Sequence, residues 1–214
     1  MWAFLLLLSG SFLMFAPFVW TLSTSLKAHQ NVFELPPKWI PNPITWDNYR
    51  EVWDQSPLLY GFMNSSIIVV VVLTVGLLVS AMSAYAFGKF EFPFKGPLFL
   101  GLLGTMMIPY SVVMIPQYIG FSRLNWVDTL LPLIVPGLFG NIVTVFFLRQ
   151  YLQSALPNEL IEAAKIDGCG FFRIFWTIGM PIMKPAIAAQ AALGFMGIWN
   201  DFLGPLLYLH TPEK

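Results

Sequence analysis

Five long apolar stretches, separated by shorter polar segments, dominate the pattern along this chain. They cover approximately residues 2–26, 63–88, 97–121, 129–151 and 184–209. A helix needs about 20 predominantly apolar residues to cross the hydrocarbon core of a bilayer, and each stretch reaches that length. The pattern therefore predicts an all-α integral membrane protein, a polytopic helical bundle in which five spans are visible.

The first apolar stretch is predicted to remain in the protein as an uncleaved span. Its apolar run is longer than the roughly 7–15 residues of a signal-peptide core, no basic segment precedes it, and no clear cleavage site follows it. A secretion signal is the alternative interpretation.

The connections between the spans differ in character. Residues 27–60 are rich in proline and tryptophan, and we expect a compact cap there with a short helix at about 45–55. Tryptophans this close to span ends are also typical of anchors at the membrane–water interface. Residues 88–96 and 121–128 are short enough to predict two tight turns.

The segment 157–185, PNELIEAAKIDGCGFFRIFWTIGMPIMKP, is polar and helix-prone although it lies between two apolar stretches. Pro157 suits the first turn of a helix, and Gly168 supplies a stop. Glu159 and Glu162 place negative charge near the helix N-terminus, where the macrodipole favours it. The predicted apolar face consists of Leu160, Ala163, Ala164 and Ile166.

Connections in a compact chain are usually short, so a long helical connection indicates a use outside the bilayer. We interpret 157–185 as carrying a docking element for a partner protein. The alternative is an amphipathic helix that rests on the bilayer surface. Its apolar face is short and its polar face lacks a run of Lys and Arg, which disfavours that alternative.

The composition supports membrane insertion and excludes several other classes. Of the 214 residues, 57% are hydrophobic and 10% are charged, against roughly a quarter charged in soluble domains. The formal net charge is zero and no basic arm is present, so no nucleic-acid partner is predicted. The single cysteine, Cys169, cannot form an intrachain disulfide and has no metal ligands near it in the sequence.

Enzyme chemistry finds no support in the motifs. The chain lacks the G-x-x-x-x-G-K-[ST] loop that cradles nucleotide phosphates, so it is not expected to hydrolyse ATP by that route. Neither His29 nor His210 has a partner at catalytic or metal-ligand spacing. No catalytic residue, metal or cofactor is predicted.

Small side chains recur along one face of the second span. Gly76, Ser80, Ala84 and Gly88 follow one another at intervals of four residues. This spacing allows membrane helices to approach closely. We favour packing within the chain, and an interface with another subunit is the alternative.

Polar residues inside the spans are candidates for a translocation pathway, because burying them in hydrocarbon is costly. They are Asn64, Gln117, Asn141, Thr144, Gln190, Asn200 and Asp201. Neutral amides and hydroxyls both donate and accept hydrogen bonds, which suits a hydroxylated solute. For each residue the alternative is hydrogen bonding between helices. Asp201, the one acidic residue well inside a predicted span, is expected to cap a neighbouring helix or to face water.

The polar segment also carries a family resemblance. Its matching positions are Glu162-Ala163-Ala164, Gly168, Ile178, Met180 and Pro181. They resemble the EAA loop of membrane subunits from ATP-binding-cassette (ABC) importers, in which Glu-Ala-Ala precedes a Gly and an Ile-x-Leu-Pro sequence. The chain departs from that pattern only at Met180, which keeps an apolar side chain of similar size. Asp167-Gly168 and the later Trp199-Asn200-Asp201-Phe202 resemble the carbohydrate-importer branch, of the maltose-permease type.

The resemblance implies a single permease domain over residues 1–214 that translocates a sugar or related hydroxylated solute across the cytoplasmic (inner) membrane of a prokaryote. The implied partners are a cytoplasmic ABC ATPase dimer, which hydrolyses the ATP, a second permease subunit, an extracytoplasmic solute-binding protein and membrane lipid. The coupling loop would be cytoplasmic and cover 152–183, with contacts from Glu162, Ala163, Ala164, Asp167, Gly168 and Pro181. We expect Gly168 to adopt a positive φ at the helix end. An ion-gradient-driven secondary transporter and a non-transporting scaffold are the alternative functions.

Membrane orientation follows from the resemblance, because the charges decide little. With the 152–183 loop inside, six Lys and Arg residues lie on that side and five on the other, which is a negligible positive-inside bias. This orientation makes the 27–60 cap extracytoplasmic. Importer subunits of this branch typically have six spans and a cytoplasmic C-terminus, so we expect a further span after Lys214 in a longer protein. A genuine five-span protein is the alternative.

Overall fold

The structure is a computed structural model that describes residues 2–211. Its helices are α1 (Trp2–Ser25), α2 (Asp47–Gln55), α3 (Leu58–Lys89), α4 (Lys95–Thr105), α5 (Tyr110–Arg123), α6 (Leu131–Leu138), α7 (Ile142–Ala155), α8 (Asn158–Ile166), α9 (Phe171–Ile174), α10 (Met180–Trp199) and α11 (Leu203–Tyr208). A short 3₁₀ turn occupies His29–Asn31 and a π turn occupies Phe175–Gly179. The chain divides into two compact units, Met1–Leu59 and Tyr60–Lys214.

In the first unit, the segment after α1 folds back onto the end of that helix. The side-chain amide of Asn48 donates to the carbonyl oxygens of Ser25 at 2.9 Å and Lys27 at 2.7 Å. Lys27 is buried and forms an isolated antiparallel bridge with Ile44, and its ammonium lies 4.3 Å from the ring centroid of Trp20. The short helix expected at about 45–55 is α2.

The apolar helices agree with the predicted spans in number. Within residues 2–211, four helical stretches are long and apolar enough to cross a membrane, and a bent pair brings the total to five. The third predicted span, 97–121, differs from the prediction because it consists of α4 and α5, which meet at 91°. Pro109 lies in this break with an extended backbone. Proline lacks an N–H donor and disfavours helix in the residue before it, so one continuous helix cannot pass through this position unstrained.

The last predicted span also differs in its helical limits. The helix starts at Phe171 instead of 184 and runs to Trp199; α11 then completes the range. Pro181 does not stop this helix, because the π turn precedes it and Pro181 lies in the first turn of α10. Local π adjustments of this kind re-satisfy the backbone groups that a proline frees inside a membrane helix. The second half of the expected loop is therefore helical and continuous with the span.

The core of the second unit lies where α3, α7, α8 and the helix that begins at Phe171 come together. Its buried members are Ala81, Ala84, Tyr85, Val145, Leu148, Leu152, Leu156, Ile161, Ala164, Ile174, Phe175 and Met183. The small-residue face of α3 packs within the chain, as favoured from the sequence. Ala84 is fully buried, and a Cβ added at Gly76 would lie 2.5 Å from the carbonyl oxygen of Gly137.

Candidate functional site

Helix α8 begins and ends through local sequence signals. Pro157 precedes it as the extended N-cap residue. At the other end Gly168 has φ +77°, which confirms the predicted positive φ. The amide of Gly168 donates to the carbonyl oxygen of Lys165 at 3.0 Å, and that of Cys169 donates to Ala164 at 2.9 Å. These two bonds form a Schellman motif, which fixes the direction in which the chain leaves α8.

Two different faces of α8 are apolar, and the predicted single face is wrong in its membership. Ile161 and Ala164 are turned inward and are 5% and 7% exposed. Leu160 and Ile166 are exposed, at 47% and 86%, and Ala163 is exposed as well. Exposed apolar side chains beside charged ones are typical of a surface that meets another molecule.

A long-range contact, with no signal in the sequence, ties α8 to the end of α3. The ammonium of Lys89 donates to the carbonyl oxygen of Leu156 and, at 2.9 Å, to the side-chain oxygen of Asn158. Leu156 is itself fully buried in the core. The start of α8 is thus held by hydrogen bonds and by apolar packing.

Five of the six coupling candidates lie together in and directly after α8. Glu162, Ala163, Asp167 and Gly168 are exposed, and Ala164 is buried on the inward face. The sixth candidate, Pro181, lies apart from them at the start of α10 and is exposed.

A cavity of about 600 Å³ opens between α3, α6, α7 and α10. Most of its lining is apolar, and we call it the polar cavity after the four polar side chains on its wall. It brings together three of the seven predicted pathway residues, Asn141, Thr144 and Gln190, with Ser80. The hydroxyl of Thr144 donates to the side-chain oxygen of Gln190 at 3.1 Å. All seventeen lining residues are uncharged. The cavity therefore offers hydrogen bonds without a fixed charge.

Asn141 occupies the break between α6 and α7 and caps α7. Its side-chain oxygen accepts from the backbone amides of Val143 at 2.9 Å and Thr144 at 3.2 Å. The backbone amide of Asn141 donates to the hydroxyl of Ser80 at 3.0 Å. The preceding Gly140 has φ +86°, which glycine adopts without steric cost. The side chain of Asn141 thus caps its own helix, the contact between helices is made by its backbone, and the residue also lies on the cavity wall.

The remaining four pathway candidates do not line this cavity. Asp201 accepts a hydrogen bond from the backbone amide of Gly204 at 3.2 Å, within the first turn of α11, as the helix-cap interpretation expected. It also lines a separate cavity of about 160 Å³. Asn200 donates to the carbonyl oxygen of Met196 at 2.8 Å. Asn64 on α3 and Gln117 on α5 are half-buried.

Asp128 carries no functional signal in the sequence, but its hydrogen bonds hold the residues that follow α11. Its carboxylate accepts from the amides of His210 and Thr211, both at 3.0 Å, and from the hydroxyl of Thr211 at 2.6 Å. Its backbone amide donates to the carbonyl oxygen of Tyr208 at 2.7 Å. Asp128 has φ 62°, a conformation that Asp tolerates better than most residues. Within residues 2–211, no group of three His, Cys, Asp or Glu side chains is placed to hold a metal.

The comparison with protein families decides the assignment. Residues 76–212 match the family described as "binding-protein-dependent transport system inner membrane component", and this match covers more than half of the chain. The chain belongs to this family. An inner membrane component with several apolar helices is a multi-pass membrane protein, and its relatives are transport permease subunits.

Three curated relatives of this inner membrane component have informative names. The arabinooligosaccharides transport system permease protein AraQ of Halalkalibacterium halodurans is 36% identical over 81% of this chain and 62% of its own length. The diacetylchitobiose uptake system permease protein NgcG of Streptomyces coelicolor is 32% identical over 98% and 69%. The sn-glycerol-3-phosphate transport system permease protein UgpE of Yersinia enterocolitica is 34% identical over 95% and 73%. The chain thus spans about two thirds of the length of these relatives.

A solved structure has the same fold. It is the crystal structure of a bacterial ABC transporter involved in the import of the acidic polysaccharide alginate, with a TM-score of 0.87 at 22% identity, covering 98% of this chain and 73% of that one. The predicted all-α, polytopic fold of an ABC importer permease is therefore confirmed.

Proposed function

We propose that this chain is the permease subunit of an ATP-driven importer in the cytoplasmic membrane of a prokaryote, and that it helps to translocate a sugar or related hydroxylated solute. ATP is hydrolysed by a separate, cytoplasmic ABC ATPase dimer. A second permease subunit and an extracytoplasmic solute-binding protein complete the transporter. The names of the arabinooligosaccharide and diacetylchitobiose relatives support this solute class.

The observation that carries this proposal is the two-sided construction of α8. Its inward side chains, Ile161 and Ala164, belong to the same buried cluster as Leu152 of α7 and Ile174 of α9. Its outward side presents Leu160 and the other exposed apolar residues beside Glu162. A helix built in this way can bind a partner on one side and move the spans on the other.

Coupling then follows from mechanical contact. Closure of the ATPase dimer on ATP displaces α8 as a rigid body, and the shared core passes the displacement into α3, α7 and the helix after α9. Ala163 allows the ATPase surface to come close, and Glu162 supplies a polar contact. Gly168 sets the exit angle of the chain, so that α8 presents a fixed surface.

The polar cavity is the part of the proposed pathway that this subunit provides. The side-chain oxygens of Asn141 and Gln190 already accept hydrogen bonds within the protein, so their amide N–H groups are the donors that remain for a solute. A neutral hydroxylated solute suits a lining without charge. A phosphate ester, as in the name of the UgpE relative, would need a cation that this lining does not provide.

A matched pair of glycines tests the coupling assignment. Gly168 has φ +77° and Gly170 has φ −74°, and neither has an atom within 4 Å of an added Cβ. Alanine costs roughly 1–2 kcal/mol in the left-handed conformation, which is about a 5–30-fold change in an equilibrium. We therefore expect Gly168→Ala to reduce co-purification of the ATPase and solute uptake in reconstituted vesicles, and Gly170→Ala to leave both nearly unchanged.

Charge reversal on the outward side provides a second arm of the same test. Glu162 is exposed, so Glu162→Lys should leave membrane insertion and protein yield intact while it weakens ATPase binding. If Gly168→Ala and Glu162→Lys both bind the ATPase and transport at wild-type rates, α8 is not the coupling element.

A further inference from the structure

A second, smaller cavity carries a carboxylate on its wall. Its volume is about 160 Å³, and it opens between α3, α6, α10 and α11. The residues of its lining that matter here are Ser65, Leu133, Gly197, Ile198 and Asp201. Asp201 is the one charged side chain among the residues that line this cavity and the polar cavity. We call the smaller cavity the acidic cavity.

The acidic cavity adjoins the polar cavity along one side of α10. Gly197 and Ile198 line both cavities. A Cβ added at Gly197 would meet no atom within 4 Å, so the place that the two cavities share is open space and not packed protein. Gln190, on the polar cavity, lies seven residues before Gly197 on the same face of α10, about 10 Å along the helix. This arrangement allows one solute to extend from one cavity into the other.

Asp201 combines a fixed position with an uncompensated charge. One carboxylate oxygen accepts from the backbone amide of Gly204 at 3.2 Å. The other oxygen lies so close to Gly204 that an added Cβ would collide with it. Within residues 2–211, no Lys, Arg or His side chain pairs with Asp201, and the hydroxyl of Ser65 makes no hydrogen bond to this part of the chain. Charged side chains of membrane spans face a water-filled cavity or the bundle interior, which makes both groups available to a solute.

We propose that the acidic cavity is a second section of the solute pathway, in which the carboxylate of Asp201 accepts hydrogen bonds from solute hydroxyls and repels anions. A carboxylate has several acceptor sites, and its hydrogen bonds are stronger than those between neutral groups. An anionic solute meets a like charge at the same place. The polar cavity, with its amide donors, holds the neighbouring part of the same solute. The identity of the occupant as a hydroxylated solute rests on the proposed function, whereas the selection by charge does not.

Thiol reagents of different charge test this selection without a transported solute. Ser65→Cys places a reporter thiol in the acidic cavity, in a chain whose single native cysteine is removed by Cys169→Ser. A cationic, a neutral and an anionic methanethiosulfonate are applied to the full-length protein in nanodiscs, and intact-mass spectrometry measures the rates of labelling. Asp201→Asn keeps an oxygen that accepts from Gly204 but removes the charge. It should lower the ratio of cationic to anionic rates at least about fivefold, the factor for two unit charges about 4 Å apart in water.

A control reporter and a second cavity reporter accompany this measurement. Ser154 is exposed and lies ten residues from Thr144, about 15 Å along α7 from the polar cavity. Asp201→Asn should therefore leave the rate ratio at Ser154→Cys unchanged. Leu133→Cys, on the α6 side of the acidic cavity, should respond to Asp201→Asn as Ser65→Cys does, so a folding defect in one reporter variant does not decide the result.

Gly197→Leu tests whether the two cavities are continuous. The new side chain fills the open space that they share, so labelling of both Leu133→Cys and Gln190→Cys should become slower with all three reagents. Gly101→Leu is the matched control, because Gly101 is also an exposed helical glycine with no atom within 4 Å of an added Cβ. Labelling rates at Gln190→Cys that are equal in the two leucine variants would overturn the shared pathway.

Two results would overturn the proposal for the acidic cavity itself. One is a rate ratio at Ser65→Cys and Leu133→Cys that Asp201→Asn leaves unchanged, because the carboxylate then does not select by charge. The other is a failure of both thiols to react even with the neutral reagent, because the cavity is then closed to polar solutes. Labelling is measured without ATPase or solute uptake, so failure of this proposal is distinct from failure of the proposed function.

Discussion

Replacing Gly76 with alanine tests a close approach between α3 and α6. The added Cβ would lie 2.5 Å from the carbonyl oxygen of Gly137 and 3.6 Å from its carbonyl carbon. Even an attractive carbon–oxygen contact normally needs about 3.3 Å, so the two backbones must separate by roughly 0.8 Å. The obstructing atom belongs to the backbone, so a change of rotamer cannot relieve the contact.

The size of the effect follows from two opposing contributions. Overpacking in a close-packed interior lowers the free energy of unfolding by roughly 1–3 kcal/mol. Replacing a helical glycine by alanine raises it by roughly 0.5–1 kcal/mol. Gly61 lies in the same helix, and an added Cβ there meets no atom within 4 Å. Gly61→Ala therefore has only the favourable contribution, and the difference between the two variants isolates the overpacking cost of roughly 1–3 kcal/mol.

The measurement is the free energy of unfolding in mixed micelles, titrated with sodium dodecyl sulfate. We expect Gly61→Ala to unfold at or above the wild-type midpoint and Gly76→Ala clearly below it. Solute uptake should fall with Gly76→Ala as well, because Gly76 and Gly137 both line the polar cavity. Coincident midpoints for the two variants would refute the close contact between α3 and α6.

Three further substitutions test other contacts. Asn141→Ala removes the oxygen that caps α7 and should cost about 0.5–2 kcal/mol of unfolding free energy, while Asn141→Asp keeps a cap; equal midpoints for the two would contradict the capping role. Thr144→Val removes the hydroxyl that donates to Gln190. We expect the free energy of unfolding to fall by about 1 kcal/mol in the same titration and solute uptake to change. Wild-type values for both would show that this hydrogen bond is dispensable. Asp128→Gly is compatible with the φ of 62° but removes the carboxylate oxygens that accept hydrogen bonds from Thr211. The backbone amide of Thr211 should therefore exchange its hydrogen faster in hydrogen–deuterium exchange measured by mass spectrometry. Unchanged exchange would exclude Asp128 as the anchor of Thr211.

Features set by neighbouring residues were predictable from the sequence. The stop at Gly168 depends on a local glycine conformation, and the structure has the predicted positive φ there. The break in the third span could have been predicted too, because Pro109 lies inside its apolar run. Apolar length alone does not separate one straight span from two helices that meet at 91°.

Features set by tertiary contacts were not predictable. Leu160 and Ile161 are adjacent and equally apolar, so the sequence does not decide which of them faces inward. Packing against Leu152 and Ile174 in the core decides it in favour of Ile161. The hydrogen bond from Lys89 to Asn158 joins residues 69 positions apart, and neither residue type indicates which partner it binds.

Helix α7 offers a direct route by which the proposed coupling motion reaches the polar cavity. Leu152, fully buried, shares a cluster with the inward side of α8, and Thr144 on the same helix lines the cavity. The two positions are eight residues apart, which is about 12 Å along a continuous helix. Asn141 caps the cavity end of α7 and bonds to Ser80 of α3, so a shift of α7 must also move that contact. A displacement of α8 therefore changes the polar wall of the cavity without an additional hinge between them.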